Sequence, residues 1–280
     1  MGELVLYKVA DRVARITLNR PEKRNALNLA IRRQLVDALH EAERDDEVTL
    51  VHIDGAGPSF SAGYDLGDSK KGEKPLGWVD SEHFDTWSDQ FARSVFRDWM
   101  TIWDLQKPVV AQVHGYCLAG GAELMSMCDI VFVADDAVIG YPAMRAQATP
   151  DAPFFPWKLS MAQAKYLQLT GNSVSGQEAA RLGWVAKSFP AAELEEQVQR
   201  ELRPLSTVDP AILSMNKISL NQAYEQMGMR AHLGGAWQLH QLSARYRPRS
   251  GEFKAMSQRE GVKAATEMRD GAFRREGFIP

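Results

Sequence analysis

Residues 115–129, GYCLAGGAELMSMCD, combine a glycine pair with a short apolar segment. Two glycines, Gly120 and Gly121, stand directly before a short apolar segment that contains one carboxylate, Glu123. A glycine pair between a strand and a helix lets the backbone turn tightly and approach a ligand closely. The N–H groups at the start of a helix have no partner within it, and the positive end of the helix dipole lies behind them. The stretch therefore predicts a turn and a helix that are suited to hold a developing oxyanion.

The segments upstream alternate between strand and helix patterns. Residues 5–21 predict two strands around a turn near Asp11. Residues 28–46 have apolar side chains every four positions, which predicts an amphipathic helix capped by Asn28. Residues 48–55 then predict a buried strand.

The segments around the opening stretch continue this alternation. Residues 68–80 are polar and predict a surface segment, whereas residues 84–102 predict a long amphipathic helix with an aromatic face. Residues 107–115 predict a strand, and residues 129–142 predict two more short strands. This rhythm over the first two-thirds of the chain predicts an α/β fold.

The character changes after Ser160, where helix patterns follow one another. Residues 184–189, WVAKSF, are the single strand candidate in this part. We therefore divide the chain into a core, residues 1–205, and a helical C-terminal region, residues 206–280. The last part, residues 247–280, has a local net charge of +3. It is either a solvated helical tail or a patch that meets anionic phosphates.

The composition is that of an ordinary globular protein. The chain has 280 residues, of which 45% are hydrophobic and 25% charged, and its formal net charge is -3. This balance gives no general attraction to nucleic acid or to an anionic membrane. We see neither a signal peptide pattern nor an apolar run of membrane-spanning length, and we expect a cytoplasmic protein. The two cysteines, Cys117 and Cys128, are expected to be reduced thiols in the core.

A second small-residue loop, residues 59–66 (SFSAGYDL), follows a predicted strand. A backbone N–H near Ala62 or Gly63 could face the same cavity as the first loop, and the two loops would then form an oxyanion hole. The alternative is a tight turn that simply needs glycine. Motifs of other enzyme classes are absent: there is no GxxxxGK[ST], no GxGxxG after a strand, no GxSxG and no HExxH.

Four segments, in this order, closely resemble the enoyl-CoA hydratase/isomerase (crotonase) family. They are NRPEKRNALN (19–28), SFSAGYDL (59–66), residues 107–142 and LTGNSVSGQEAARLGWVAKSFP (169–190). The resemblance implies a crotonase-like spiral of β-β-α units with a helical C-terminal trimerisation region, assembled as a homotrimer or hexamer. It also implies an acyl-CoA thioester substrate, with coenzyme A as part of the substrate and no metal or redox cofactor.

The resemblance assigns site residues as well. The two backbone N–H groups that stabilise a thioester enolate fall on Ala62 and Gly120. The segments that cradle the adenine and phosphates of CoA match Arg24, Ala26, Asp65 and Leu66. In relatives the C-terminal tail can reach a neighbour's CoA, which would give the basic tail a role.

Hydration of an enoyl thioester requires a base to activate water and an acid to protonate Cα. Glu123 matches the first glutamate of the family, but the position of the second is Ala143, which cannot transfer a proton. Asp151 follows in the same loop, and related isomerases and dehalogenases carry an aspartate at a similar place. Glu123 and Asp151 are therefore the predicted catalytic residues. The alternatives are a helix N-cap for Asp151 and a half-exposed acid in the first helical turn for Glu123.

Three functions follow from these residues. The first is an enoyl-CoA hydratase that acts on a 2-enoyl-CoA thioester through an enolate. The second is an enoyl-CoA or dienoyl-CoA double-bond isomerase that uses Asp151, alone or with Glu123. The third is a CoA-binding member of the family without catalysis. Phe154, Phe155 and Trp157 either pack in the core or line a pocket for a bulky acyl group.

Overall fold

The computed structural model describes residues 3–66, 90–146, 149–245 and 248–278. Its strands are β1 (Val5–Ala10), β2 (Val13–Leu18), β3 (Leu50–Gly55), β4 (Val109–Val113), β5 (Tyr116–Leu118), β6 (Ile130–Ala134), β7 (Val138–Gly140), β8 (Ser173–Ser175) and β9 (Lys187–Phe189). Its helices are α1 (Leu29–Arg44), α2 (Gln90–Asp104), α3 (Gly120–Met127), α4 (Phe155–Lys158), α5 (Met161–Thr170), α6 (Gly176–Arg181), α7 (Leu194–Leu205), α8 (Pro210–Gln226), α9 (Met229–Arg245), α10 (Pro248–Glu260) and α11 (Val262–Arg275). The predicted surface segment 68–80 and the first part of the helix predicted from residue 84 lie outside the described residues.

Two sheets organise the core. The larger sheet has the order β1-β2-β3-β4-β6-β9, in which β1 and β2 are antiparallel and all later pairs are parallel. The smaller sheet has the order β5-β7-β8. Successive turns of the chain place one strand in each sheet, so β4 and β6 enter the large sheet while β5 and β7 enter the small one. This arrangement confirms the predicted α/β class with its repeating β-β-α units.

The strands and helices of the core bury the apolar residues that predicted them in the sequence. Every residue of β4 is buried, as expected for a central parallel strand that is covered on both faces. Helix α1 buries Ile31 and Leu35, and the side chain of Asn28 caps it by accepting the N–H of Ile31 at 2.9 Å. The predicted cap at Asn28 is therefore confirmed. Cys117 and Cys128 are free and buried, also as predicted.

Two short strands were not predicted. Residues 116–118, expected as part of a turn, form β5, and Ser173–Ser175 forms β8 although residues 184–189 were the single late strand candidate. Each of these strands has three residues, which is too short for an alternating pattern to stand out in the sequence.

The C-terminal helices are tied to the core by buried charged groups. Lys217 of α8 forms an ion pair with Asp129 at 2.8 Å and donates to the carbonyl oxygen of Ile102 at 3.0 Å. Arg145, which lies between β7 and α4, pairs with Asp270 of α11 at 3.2 Å, and both side chains are buried. Helix α7 ends at Leu205 and α8–α11 follow, while the division into two domains stays a prediction. No described helix is long and apolar enough to span a membrane.

Candidate active site

The site begins where the two glycine-bearing loops meet. The N–H of Leu118 donates to the carbonyl oxygen of Ser61 at 3.0 Å, which joins the loop after β3 to β5. A Cβ atom at Gly121 would lie 2.7 Å from the same Ser61 oxygen, so only glycine permits this approach. Ala119 precedes the helix with a φ of 48°, a strained value for a residue with a side chain. Helix α3 therefore begins in contact with the second loop, and Ala119 has a strained backbone conformation at this junction.

The amides predicted as oxyanion donors differ in their surroundings. Gly120 is the first residue of α3, so its N–H has no partner within the helix. The N–H of Ala62 instead donates to the carbonyl oxygen of Arg24 at 2.9 Å. The structure corrects the expectation for Ala62, because one N–H cannot hold both the Arg24 oxygen and an oxyanion. For Gly120 the role stays a prediction.

Glu123 lies in the first turn of α3 with none of its surface exposed. The hydroxyl of Tyr64 and the indole N–H of Trp99 both donate to its Oε2, the latter at 3.3 Å. The backbone N–H of Ala152 donates to Oε1 at 3.2 Å, and Tyr141 also forms a hydrogen bond with this carboxyl group. The alternative of a half-exposed surface acid is therefore wrong, since Glu123 is the centre of a buried polar cluster.

Opposing influences act on the protonation of Glu123. Burial raises the pKa of Glu123, and the charge of nearby Asp151 raises it further. The hydrogen bonds from Tyr64, Ala152 and Trp99 lower it, because they stabilise the carboxylate. The net result is a pKa of about 8 for Glu123. Two such carboxyl groups, close enough to repel each other, favour a state in which one of them carries a proton.

Asp151 is brought to the same cluster by the loop between β7 and α4. Its side chain is buried, and one oxygen, Oδ1, lies 3.4 Å from Nδ1 of His240 on α9. The same His240 nitrogen lies 2.6 Å from the carbonyl oxygen of Thr149. The N-cap of α4 is Phe154, so the alternative reading of Asp151 as a helix cap is wrong. Ala143, in the turn before this loop, packs against the core.

Two of the residues predicted to bind CoA, Ala26 and Asp65, are linked through Arg20. Asp65 pairs with Arg20 at 2.5 Å, and the same guanidinium donates to the carbonyl oxygen of Ala26 at 3.1 Å. Arg24 adopts a left-handed backbone conformation, and its guanidinium carbon lies 5.2 Å from the centre of the Tyr116 ring.

Leu66 lies apart from that group, in a small apolar cluster with the C-terminal helices. Its neighbours include Phe253 of α10 and Ala265 of α11. Of the residues predicted to bind CoA, Leu66 therefore contacts the C-terminal region of the same chain.

Several members of the site were missed at the sequence level. Tyr64 and Trp99 were not among the predicted site residues, yet each donates a hydrogen bond to Glu123. His240 showed no recognisable spacing and was not singled out. Its contact with Asp151 joins residues far apart in the sequence, so no local pattern could have indicated it.

The aromatic residues near Asp151 pack in the core or against it. Phe154 and Phe155 are buried and stack with Trp184, at ring distances of 5.5 and 5.3 Å. These two rings therefore pack in the core. Trp157 is half-buried and donates its indole N–H to His232 on α9 at 2.9 Å. Among the described residues, no group of three or more His, Cys, Asp or Glu side chains could hold a metal ion.

Comparison with known proteins shows consistent similarity along the chain. A family model described as enoyl-CoA hydratase/isomerase matches residues 8–274. EchA13 of Mycobacterium tuberculosis, which is named as an enoyl-CoA hydratase, is 33% identical over 261 residues, 86% of this chain and 80% of that protein. The 2,3-dehydroadipyl-CoA hydratase of Escherichia coli is 31% identical over 247 residues, 87% of this chain and 91% of that protein.

Solved structures are similar over nearly the whole chain. The crystal structure of an enoyl-CoA hydratase/isomerase from Xanthobacter autotrophicus Py2 superimposes with a TM-score of 0.89 at 32% identity. The match covers 98% of this chain and 99% of that one.

Proposed function

Because the chain belongs to the enoyl-CoA hydratase/isomerase family, we propose that it hydrates a 2-enoyl-CoA thioester through an enolate held at the Gly120 amide. The observation that carries this proposal is the pair of buried carboxyl groups, Glu123 and Asp151, in one cluster. Hydration needs an acid and a base around one water, and two carboxyl groups with different surroundings can serve as both.

The roles of the two groups follow from their surroundings. Glu123 has a pKa of about 8, so near neutral pH it is mostly protonated and supplies the acid. Asp151 is the base that takes a proton from water as the water oxygen bonds to the β-carbon. The electrons of the double bond move toward the thioester oxygen, which the N–H of Gly120 stabilises. The proton of Glu123 then goes to Cα and completes the addition.

The same site suits a second reaction, a double-bond shift between Cα and the γ-carbon. This 1,3-proton transfer needs only one well-placed base, and Ala143 supplies no second acid in the family's usual position. Asp151, alone or with Glu123, would then remove and return the proton. The observation that supports isomerisation as a second candidate is the burial of Asp151 beside Glu123.

Two assays separate these reactions. The conjugated thioester of a 2-enoyl-CoA loses its ultraviolet absorbance on hydration, whereas a 3-enoyl-CoA gains absorbance on isomerisation. We expect turnover of the 2-enoyl substrate and its loss in both Glu123→Gln and Asp151→Asn. Turnover of the 3-enoyl substrate alone contradicts the hydratase and supports the isomerase. If neither is consumed while acyl-CoA binds, the chain is a non-catalytic CoA-binding protein.

The substrate would enter with its CoA moiety along Arg24, Ala26, Asp65 and Leu66. The proposed chemistry requires no metal or redox cofactor, because proton transfer between carboxyl groups and water is sufficient. The buried, free cysteines suit a cytoplasmic location.

Self-association is also part of the proposal, as a homotrimer or hexamer. Helices α8 and α9 expose large apolar side chains, an arrangement typical of an interaction surface. These residues are Ile212, Met215, Ile218, Leu220, Tyr224, Met227, Leu239 and Leu242. We call this set the C-terminal apolar surface and expect copies of the chain to cover it.

A further inference from the structure

We propose that Tyr64 is a further catalytic residue, which passes the proton of Glu123 to Cα of the acyl group. The inference rests on the proposed function, since it concerns the acid step at the same site. The Tyr64 hydroxyl is hydrogen-bonded to Oε2 of Glu123. The ring also lies directly against Gly120: a Cβ atom there would be 2.6 Å from Cζ and 2.7 and 2.8 Å from the two Cε atoms of Tyr64. The same side chain therefore contacts both the acid and the residue whose amide is proposed to hold the enolate oxygen.

Accessibility distinguishes Tyr64 from the other described partners of Glu123. Trp99, Tyr141 and Ala152 are buried, and Glu123 itself has no exposed surface. Tyr64, in contrast, is half-buried as a residue, although its hydroxyl points inward to Glu123 and to the indole N–H of Trp99. An acyl group that reaches the exposed part of Tyr64 would therefore contact this residue before it could contact Glu123. A carboxyl group enclosed in this way needs an intermediary to exchange a proton with a substrate.

A tyrosine hydroxyl can act as this intermediary because it both donates and accepts. When Glu123 is protonated, its O–H donates to the Tyr64 oxygen, and the Tyr64 O–H can then turn toward Cα. In the transfer, the Tyr64 O–H bond breaks as a C–H bond forms at Cα. The Glu123 O–H bond breaks at the same time and a Tyr64 O–H bond re-forms. Glu123 is left as a carboxylate, and the proton that Asp151 took from water returns to it to reset the site.

The two transfers must occur together. Burial raises the pKa of Tyr64 well above its ordinary value, and the charge of Glu123 raises it further. A free phenolate is therefore strongly disfavoured, and Tyr64 can give up its proton only while Glu123 replaces it. Tyr64 thus supplies the acidic hydrogen that Ala143 cannot.

The test is Tyr64→Phe, which keeps the ring against Gly120 and removes the hydroxyl. The readout is exchange of the Cα hydrogens of butyryl-CoA with D2O, followed by mass spectrometry, alongside hydration of crotonyl-CoA. Exchange requires proton transfer at Cα but no addition of water. It therefore tests the role of Tyr64 in proton transfer even if the protein is not a hydratase. We expect Tyr64→Phe to slow exchange at least about a hundredfold, the usual scale for an acid–base group. The Kd for butyryl-CoA should change less than about threefold.

Two controls separate catalysis from simple positioning of Glu123. Trp99→Phe removes another donor to the same Glu123 oxygen, and Tyr7→Phe removes a hydroxyl on β1, outside the site. Trp99→Phe should slow exchange by less than about tenfold, because the tyrosine route remains, and Tyr7→Phe should have no effect. Equal losses in Tyr64→Phe and Trp99→Phe would reduce Tyr64 to a positioning residue and overturn the proposal. Unchanged exchange in Tyr64→Phe, or no exchange in the unmodified protein, would also overturn it.

Discussion

At the scale of single residues, burial and hydrogen bonding act on Glu123 in opposite directions. Burial and the charge of Asp151 favour the neutral acid, whereas donors such as Tyr64 and Trp99 favour the carboxylate. The balance leaves Glu123 with a pKa of about 8, and an acid–base catalyst works best when its pKa lies near the working pH. Both activity and stability should therefore depend on pH through this one group.

The first residue-scale prediction concerns activity. The proposed hydration requires protonated Glu123, so kcat/KM should fall as pH rises through about 8 and then by about tenfold per pH unit. The measurement is kcat/KM for a 2-enoyl-CoA from pH 6 to pH 10, with circular dichroism to verify that the fold persists. A rate that stays level to pH 10 would remove Glu123 from the acid step.

The second residue-scale prediction concerns stability. A carboxyl group with a higher pKa in the folded chain than its usual value of about 4.3 binds more protons when folded. The free energy of unfolding should therefore fall by about 1.4 kcal/mol per pH unit between these two pKa values. Glu123→Gln, which is neutral at every pH, lacks this contribution. Urea unfolding at pH 5, 6 and 7 should show the wild-type protein losing stability relative to the variant, and parallel trends would contradict the raised pKa.

At the scale of elements, the geometry of the site depends on contacts that fix the loop between β7 and α4. The loop that carries Asp151 also carries Ala152, whose N–H donates to Glu123. This loop is fixed from outside by α9, where His240 lies 2.6 Å from the Thr149 oxygen and 3.4 Å from Asp151.

Helix α9 offers a matched pair of histidines to test this contact. His240→Ala should lower kcat about tenfold or more, because the Asp151 loop loses its anchor. His232→Ala, on the same helix but bonded to Trp157, should leave kcat unchanged. Steady-state kinetics on a 2-enoyl-CoA, with thermal unfolding of each variant, make the comparison. Equal kcat values in the two variants would show that His240 does not hold the loop.

The junction between the two glycine-bearing loops allows a second element-scale prediction. A Cβ at Gly121 would lie 2.7 Å from a backbone oxygen of Ser61, so Gly121→Ala should destabilise the fold by about 1–3 kcal/mol. Gly235 of α9 has no atom within 4 Å of such a Cβ, and Gly235→Ala should stabilise by up to about 1 kcal/mol. Chemical denaturation of both variants measures these changes in the free energy of unfolding. Similar changes in the two variants would mean that the two loops can move apart with little loss of stability.

These elements also show which features of the fold and the site can be predicted from the sequence. The cap at Asn28 and the position of Glu123 were readable, because a local pattern or motif determines each. The direction of the Ala62 N–H was not, since it depends on a hydrogen bond to Arg24 across two loops. The partnership of Tyr64 with Glu123 was missed for the same reason: it joins residues 59 positions apart.

At the scale of the whole molecule, the predicted crotonase-like α/β fold is confirmed, and it leaves the C-terminal apolar surface uncovered in the single chain. Leu220 of α8 and Met227, the residue directly after that helix, are 65% and 68% exposed. Apolar side chains this accessible in one region are typical of subunit contacts.

Self-association can be tested by placing charge on that surface. Leu220→Lys should raise the dissociation constant of the assembly at least about tenfold, because a buried unpaired charge is costly. Leu6→Lys on β1, where the side chain is also exposed, is the control and should not alter assembly. Analytical ultracentrifugation over a dilution series gives both values. A wild-type protein that stays monomeric at the highest concentration would exclude this assembly.

The loop that carries Asp151 is held from two directions by late parts of the chain. Arg145 before it pairs with Asp270 of α11, and Thr149 within it contacts His240 of α9. During synthesis the α/β core leaves the ribosome first, and domains tend to fold in that order. The proposed chemistry would then become available only when α9 and α11 have emerged and docked. A nascent chain could thus bury its core early and remain inactive until α9 and α11 have been synthesised.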